Sequence, residues 1–383
     1  MVIFDTIWML LGYIVPFVVV LSTVVFIHEM GHFLVGRWCG VKIDAFSLGI
    51  GPELFGFDDR HGTHWRLALY PVGGYVKFHG DANGASVPDA EAAAAMPAAE
   101  RALTLQGQPV GNRAAIVAAG PVANFLLTVA IFTGLFYFNG EMILQPRISA
   151  VVQGSAAELA GFKAGDFVLS IDGRPVSSFK DMSNAIVTSP DIPLTFEVDR
   201  AGAKTVIVAA PRSHVEETNI GRQRFGRLGL RGSEDPADLR KVEYDPVQAF
   251  VRGMGETWYW VENTGTSIKR LVTGKASADQ ISGPIQIARV SGEMAKVSFG
   301  GLIALIAILS VSIGLLNLMP VPMLDGGHLM FYAYEALRGR PMNERVQEIG
   351  FRLGIAAVAA LMLFAVSNDL FNIIRDMKIF GIG

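Results

Sequence analysis

Residues 7–27 carry no charged side chain, and this apolar run ends directly in His28-Glu29-Met30-Gly31-His32. A helix of that length can cross about 30 Å of hydrocarbon, so the run fixes at least one membrane-spanning element. HExxH on a helix sets two imidazoles one turn apart on the same face, an arrangement that suits zinc. The intervening Glu29 is then placed to take a proton from a water that the ion activates.

Composition extends the membrane reading to the whole chain. Of 383 residues, 51% are hydrophobic and only 17% charged, too apolar for an ordinary soluble protein of this size. Four stretches have spanning length, near 7–36, 114–138, 299–319 and 351–373. The first does not read as a signal peptide, because no Lys or Arg precedes it and it runs into HExxH without a small-residue cleavage site. A net charge of −3 with no basic stripe argues against a nucleic-acid partner, and the single cysteine, Cys39, excludes an internal disulfide. Arg37, Lys42, Arg60, Arg66, Lys77, Arg101 and Arg113 follow the first span, and Arg338, Arg340 and Arg345 lie between the third and fourth. Basic short loops stay in the cytoplasm, which puts both termini and the 139–298 segment outside. A soluble metalloprotease has no reason to carry its motif at the end of a membrane-length helix. A protease that cuts inside the bilayer does.

The segments between the spans have distinct characters. Residues 1–38 hold the first span with its motif, and 39–112 a cytoplasmic-side β-hairpin region with a linker. Within the latter, 41–80 alternate apolar and polar residues between glycines, as short strands and hairpins do, and 85–104 are Ala-rich and solvated. The second span, 113–140, carries Gly120-Pro121 and Asn124, a polar amide that needs a partner at that depth. Residues 141–212 form a small separate domain whose strand order and paired turn glycines look like a bacterial PDZ domain, a module that binds extended peptide by strand addition. Residues 213–297 read as a polar linker to about 244 and an amphipathic helix at 246–272. Trp258, Tyr259 and Trp260 in that helix suit a membrane–water boundary.

Two histidines do not complete a catalytic zinc site, so a third ligand is expected elsewhere. Residues 298–350 supply the third span and the candidate, in the stretch Asn317-Leu318-Met319-Pro320-Val321-Pro322-Met323-Leu324-Asp325-Gly326-Gly327-His328. The prolines break the span, and Asp325 falls in a glycine-rich turn, where a bound ion would be its natural partner at membrane depth. His328 reads as a support for that loop, and His61 and His64 as part of a solvated turn. Residues 351–383 hold the fourth span and tail.

Together these features resemble the site-2 protease family of intramembrane zinc metalloproteases, closest to the bacterial branch known as regulator of sigma-E protease. The resemblance is carried by the His28–Phe33 motif; by Cys39-Gly40-Val41 through Phe46-Ser47 to Gly49-Ile50-Gly51-Pro52; by Pro71-Val72-Gly73-Gly74-Tyr75-Val76-Lys77; by Gly120-Pro121 with Asn124; and by Asn317 to His328. It implies a polytopic α-helical membrane protein of about four transmembrane helices, with a membrane-associated β-hairpin region and one extracytoplasmic α+β PDZ domain. It implies Zn²⁺ held by His28, His32 and Asp325, Glu29 as the catalytic carboxylate, and substrate contacts from Asn317, Asn124 and the Gly73-Gly74-Tyr75 edge. The expected location is the bacterial inner membrane, with the active site toward the cytoplasm and the PDZ domain in the periplasm. Expected partners are single-span membrane proteins such as anti-sigma factors or leftover signal peptides, a peptide C-terminus at the PDZ domain, and membrane lipid. Some members of this branch carry two PDZ domains, and here one is readable. A membrane-bound PDZ adaptor with a structural metal site is the alternative, which the intact Glu29 speaks against. A metal transporter is weaker still, since no second relay of carboxylates crosses the spans.

Overall fold

The computed structural model describes residues 2–81, 96–218, 221–233, 235–273 and 283–379. It divides into two compact units, Met1–Leu135 with Gln248–Gly383, and Phe136–Val247.

In chain order the first unit begins with helix α1, Val2–Trp38, strands β1, Ile43–Asp58, and β2, His64–Phe78, and helix α2, Val110–Asn139. Among the described residues, four helices are long and apolar enough to cross a membrane: Leu10–Trp38, Val110–Asn139, Phe299–Asn317 and Arg345–Phe371. In hydrocarbon a helix is the open structure that satisfies its own backbone groups, so apolar runs of this length have little alternative. Leu10, Ile14, Val15 and Val19 of α1, and Val122 and Leu126 of α2, are exposed, as residues facing lipid are.

Each strand of the β1–β2 pair is bent by register shifts, so β1 pairs twice. Residues 45–48 lie opposite both 74–77 and 64–67, while 53–58 pair with 64–68. The result is a four-segment sheet in the order 74–78, 43–48, 64–68, 53–58, with the two outer pairs antiparallel and 45–48 running parallel to 64–67, made of one long folded hairpin rather than several short ones. Its inner half packs Val41, Ile43, Phe46, Val76 and Phe78 against Phe33 of α1 and Ile116 of α2. Its outer half leaves Ile50, Leu54, Phe55, Phe57, Leu69 and Tyr70 exposed. At the solvated turn, His64 bridges Asp58 at 2.7 Å and Glu53 at 3.0 Å. Of the expected 85–104 linker, residues 85–95 lie outside the described residues, and the remainder holds a single helical turn, Ala98–Arg101.

The second unit contains β3 Glu141–Leu144, β4 Ile148–Val151, β5 Phe167–Ile171, β6 Arg174–Pro175, helix α3 Phe179–Val187, β7 Leu194–Arg200, β8 Ala203–Ala209, β9 Arg212–Thr218, β10 Gly221–Arg227, β11 Leu230–Gly232 and β12 Leu239–Val242. Strands β6, β5, β7 and β8 form one sheet in that order, and β11 pairs with β4, β12 with β3 and β10 with β9. Helix α3 starts on a capping box in which Ser178 and Asp181 satisfy each other's backbone N–H. Its Met182 and Ile186 join Ile148, Val168, Phe196 and Val198 in the core. The linker reading of 213–244 fails here. The segment carries strands, and Leu228, only 1% exposed, is a full member of that core. The domain therefore extends past 212, because it draws its β4 partner from 230–232.

The chain returns to the first unit through α4, Pro246–Val272, α5, Pro284–Val297, α6, Phe299–Asn317, α7, Asp325–Arg338, and α8, Glu344–Ile379. The expected amphipathic helix is α4. Helix α5 has no counterpart in the sequence reading. It packs on α1 so tightly that a Cβ at Gly292 would sit 2.2 Å from the Tyr13 ring. Asp369 of α8 accepts the N–H groups of Gly283, Ile285 and Gln286, capping the start of α5. Val20 and Val24 of α1, Leu127 and Ile131 of α2 and Ile306 and Ile313 of α6 make the core between spans.

Asp166, in the second unit, has a fully buried carboxylate held by Arg200 through bonds of 2.7 and 2.8 Å and by the Lys163 N–H at 2.8 Å. Burial by itself pushes this carboxyl up, but Arg200 and the Lys163 N–H outweigh it and hold it below the usual carboxylate range. A depressed carboxyl stabilises the fold above its ordinary pKa, and that stability is lost as pH falls through the folded value. Arg200→Gln leaves this buried charge without its strongest partner and should cost about 3 kcal/mol, with acid unfolding moved to higher pH. Limited proteolysis of the unit at pH 7 and pH 4 measures both, and an unchanged cleavage rate would count against the pair. Leu228→Ala should cost a similar amount, about 3 kcal/mol by cavity formation. Faster hydrogen exchange across β5 and β7 would show it, whereas a true linker residue would leave exchange unchanged.

Candidate metal centre

His28 and His32 lie one turn apart on α1, and Asp325 opens α7 rather than lying in a free loop. The prolines do end α6 at Asn317, as expected, and the chain turns back so that Asp325 reaches α1. Nε2 of His28 is 3.2 Å from Nε2 of His32 and 3.1 Å from Oδ2 of Asp325, and His32 Nε2 is 3.6 Å from Oδ1 of Asp325. Zinc bonds of 2.0–2.1 Å in tetrahedral array set ligand atoms about 3.3–3.4 Å apart. These separations match that figure closely.

Helix α2 fixes the tautomers. Nδ1 of His32 lies 2.9 Å from the Ile116 carbonyl, which can only accept, so Nδ1 carries the proton and the Nε2 of a neutral ring is bare. Nδ1 of His28 lies 3.2 Å from the Asn124 side-chain amide, whose Oδ1 has no partner. Turning that amide over makes Oδ1 the acceptor for a proton on His28 Nδ1 and leaves the second Nε2 bare as well. Two bare nitrogens and a carboxylate then converge with no proton among them, and Asp325 Oδ2 finds no hydrogen bond. Three acceptors in this contact call for a cation, and His28, His32 and Asp325 could hold one.

The close approach depends on glycine. A Cβ at Gly120 would fall 2.3 Å from His32 Nε2, and one at Gly31 2.3 Å from the Ala119 carbonyl oxygen. Small residues let spans touch backbone to backbone. In the sequence Gly120 stands only as part of a resemblance; its physical task is to leave the imidazole faces free.

A cavity of about 280 Å³ opens on the centre, lined by Glu29, Gly73, Gly74, Tyr75, Asn317 and His328, among others. Glu29 sits between the imidazoles' turn and the 74–76 edge, where the Val76 N–H faces its carboxylate. Asn317 Nδ2 is 3.4 Å from His28 Nε2, beside the would-be ion. Asn124 is different. It is fully buried behind His28 and does not line the cavity, so it is placed to orient the imidazole rather than to meet substrate. Farther along α7, Glu335 pairs with Arg113 of α2 at 2.6 Å, tying the helix that carries Asp325 to the helix that orients both imidazoles.

An HExxH pair completed by a carboxylate, with a glutamate at the same cavity, defines a metallopeptidase centre. The chain belongs to peptidase family M50, whose model matches residues 16–361. A provisionally named zinc metalloprotease of Agrobacterium fabrum is 47% identical over 366 residues, 95% of this chain and 97% of its own. A similarly named protein of Rhizobium meliloti is 46% identical over 362 residues, 94% of this chain and 97% of its own. Metalloprotease MmpA of Caulobacter vibrioides is 38% identical over 380 residues, 93% of this chain and 95% of its own.

Asn124→Ala removes the acceptor for His28 and should weaken metal binding 10–100-fold, as loss of such supporting groups does. Competition with a chelator of known affinity measures this, and an unchanged dissociation constant would refute the orienting task.

Proposed function

We propose that this peptidase is an intramembrane zinc endopeptidase that hydrolyses peptide bonds in or near the transmembrane segments of single-span proteins. The observation that carries the reading is that Asp325, at the start of α7, meets His28, His32 and Glu29 of a membrane-length helix at one cavity. His28, His32 and Asp325 hold the zinc, which when bound supplies Lewis acidity toward a carbonyl and toward water. Glu29 accepts the proton of the attacking water and later delivers it to the leaving amine. The 74–76 strand edge, which pairs on one side with 46–48, receives the locally unwound substrate as an added strand, and Asn317 contacts substrate backbone. The distribution of basic residues supports an inner-membrane protein with this centre toward the cytoplasm.

The second unit acts as a PDZ domain in the periplasm, reading a newly made C-terminus or filtering substrates by size. Support comes from a groove between Phe179, Met182 and Ile186 of α3 and the 226–231 turn, where a peptide can add beside β11. Lipid surrounds the four spans.

Glu29→Gln separates this reading from an adaptor with a structural metal. With a tagged single-span substrate, the variant should keep one zinc per chain and lose cleavage by a factor of at least 10², while the wild type cleaves. Equal processing by both proteins would end the catalytic assignment, and no processing by either would favour the adaptor.

A further inference from the structure

His328 lines the cavity with a ring hydrogen-bonding capacity that none of the described residues uses. It stands one turn beyond Asp325 on the same face of α7, about 4.5 Å farther along the helix axis. Its ring packs against Phe351 at 5.3 Å and, tilted, against Tyr332 at 6.4 Å between centroids. Its ring makes no hydrogen bond to the Asp325 turn or to any other described residue, so any support it gives there is by packing and charge. Nor does it belong to the metal-binding group, whose atoms lie within 4.8 Å of one another and come from His28, His32 and Asp325. A neutral imidazole always carries one N–H, and here that donor is available to a group entering the cavity.

We propose that His328 is a catalytic residue that donates its N–H to the oxygen of the scissile carbonyl as negative charge builds there. This rests on the endopeptidase reading. Water oxygen attacks the carbonyl carbon, Glu29 takes the water's proton, and the carbonyl π pair moves onto the oxygen, where the His328 N–H meets it. The pair then returns, the C–N bond breaks, and Glu29 passes its proton to the leaving nitrogen, giving a carboxylic acid and an amine. His328 gives up no proton in this cycle. A donor aimed at the developing charge stabilises the transition state more than the bound substrate, so its loss falls on kcat and not on KM.

The test uses the full chain and a tagged single-span substrate, with His328→Phe, which keeps the packing on Phe351, His328→Leu, and His328→Gln, which keeps an N–H. Zinc content, kcat, KM and the affinity of a phosphinic peptide that mimics the tetrahedral state are measured for each. Expected are about one zinc per chain, KM within about threefold of wild type, and kcat about 10²-fold lower in Phe and Leu. Phosphinate binding should weaken in step with kcat, and Gln should recover at least tenfold. A kcat near wild type in either Phe or Leu overturns the assignment, as does equal activity of zinc-loaded Gln and Leu variants. Loss of zinc in all three also overturns it, making His328 a support for the metal. The protease reading fails separately, if the zinc-loaded wild type leaves the substrate whole.

Discussion

The first unit depends on how closely two spans can approach. With glycine at 31 and 120, α1 and α2 touch at the backbone, and the imidazoles of α1 lie against α2 with their Nδ1 atoms at the Ile116 carbonyl and the Asn124 amide. Their opposite nitrogens are thereby turned toward Asp325. Neither helix makes this arrangement alone. Three acceptors packed together are mutually repulsive without a cation, so a cation bound there would help to join α7 to α1. The Arg113–Glu335 pair supplies a second link between α2 and α7 that does not need the ion.

A peptide bond inside a helix has its carbonyl occupied and its flank crowded, and the fold answers this with a strand rather than another helix. The 74–78 segment lies beside Glu29 and pairs on one side only among the described residues, so it offers backbone groups where an unwound substrate would need them. Leu54, Phe55 and Phe57 of the outer half give the hairpin an exposed apolar face.

Much of this is legible from residue order. HExxH at the end of an apolar run and an aspartate beyond two prolines point to the residues that meet at the cavity, and four apolar stretches point to the spans, because each is a local pattern. Other features are not written locally. Segment 212–232 alternates no apolar face, since β9 and β10 pair only with each other and β11 is three residues long; Leu228 is a lone apolar anchor in an arginine-rich stretch. Helix α5 is too polar to read as a span, and its start is capped by a carboxylate from α8, 83–86 residues away. The part played by Asn124 depends on which face of α2 meets His28, and a single chain's sequence does not rank a buried orienting amide above one that touches substrate. Asp325 reads as part of a loop because glycines follow it, yet those glycines allow α7 to begin tight against residues 318–322.

The most direct measurement is zinc K-edge X-ray absorption on the purified chain in detergent or bilayer. The account predicts one zinc per protein in a four-coordinate shell of nitrogen and oxygen at about 2.0–2.1 Å, with scattering from two imidazoles and no sulfur. It predicts that Asp325→Ala alters the shell while His61→Ala and His64→Ala leave it unchanged. A six-coordinate ion, a sulfur ligand from Cys39, or a shell indifferent to residue 325 would contradict it.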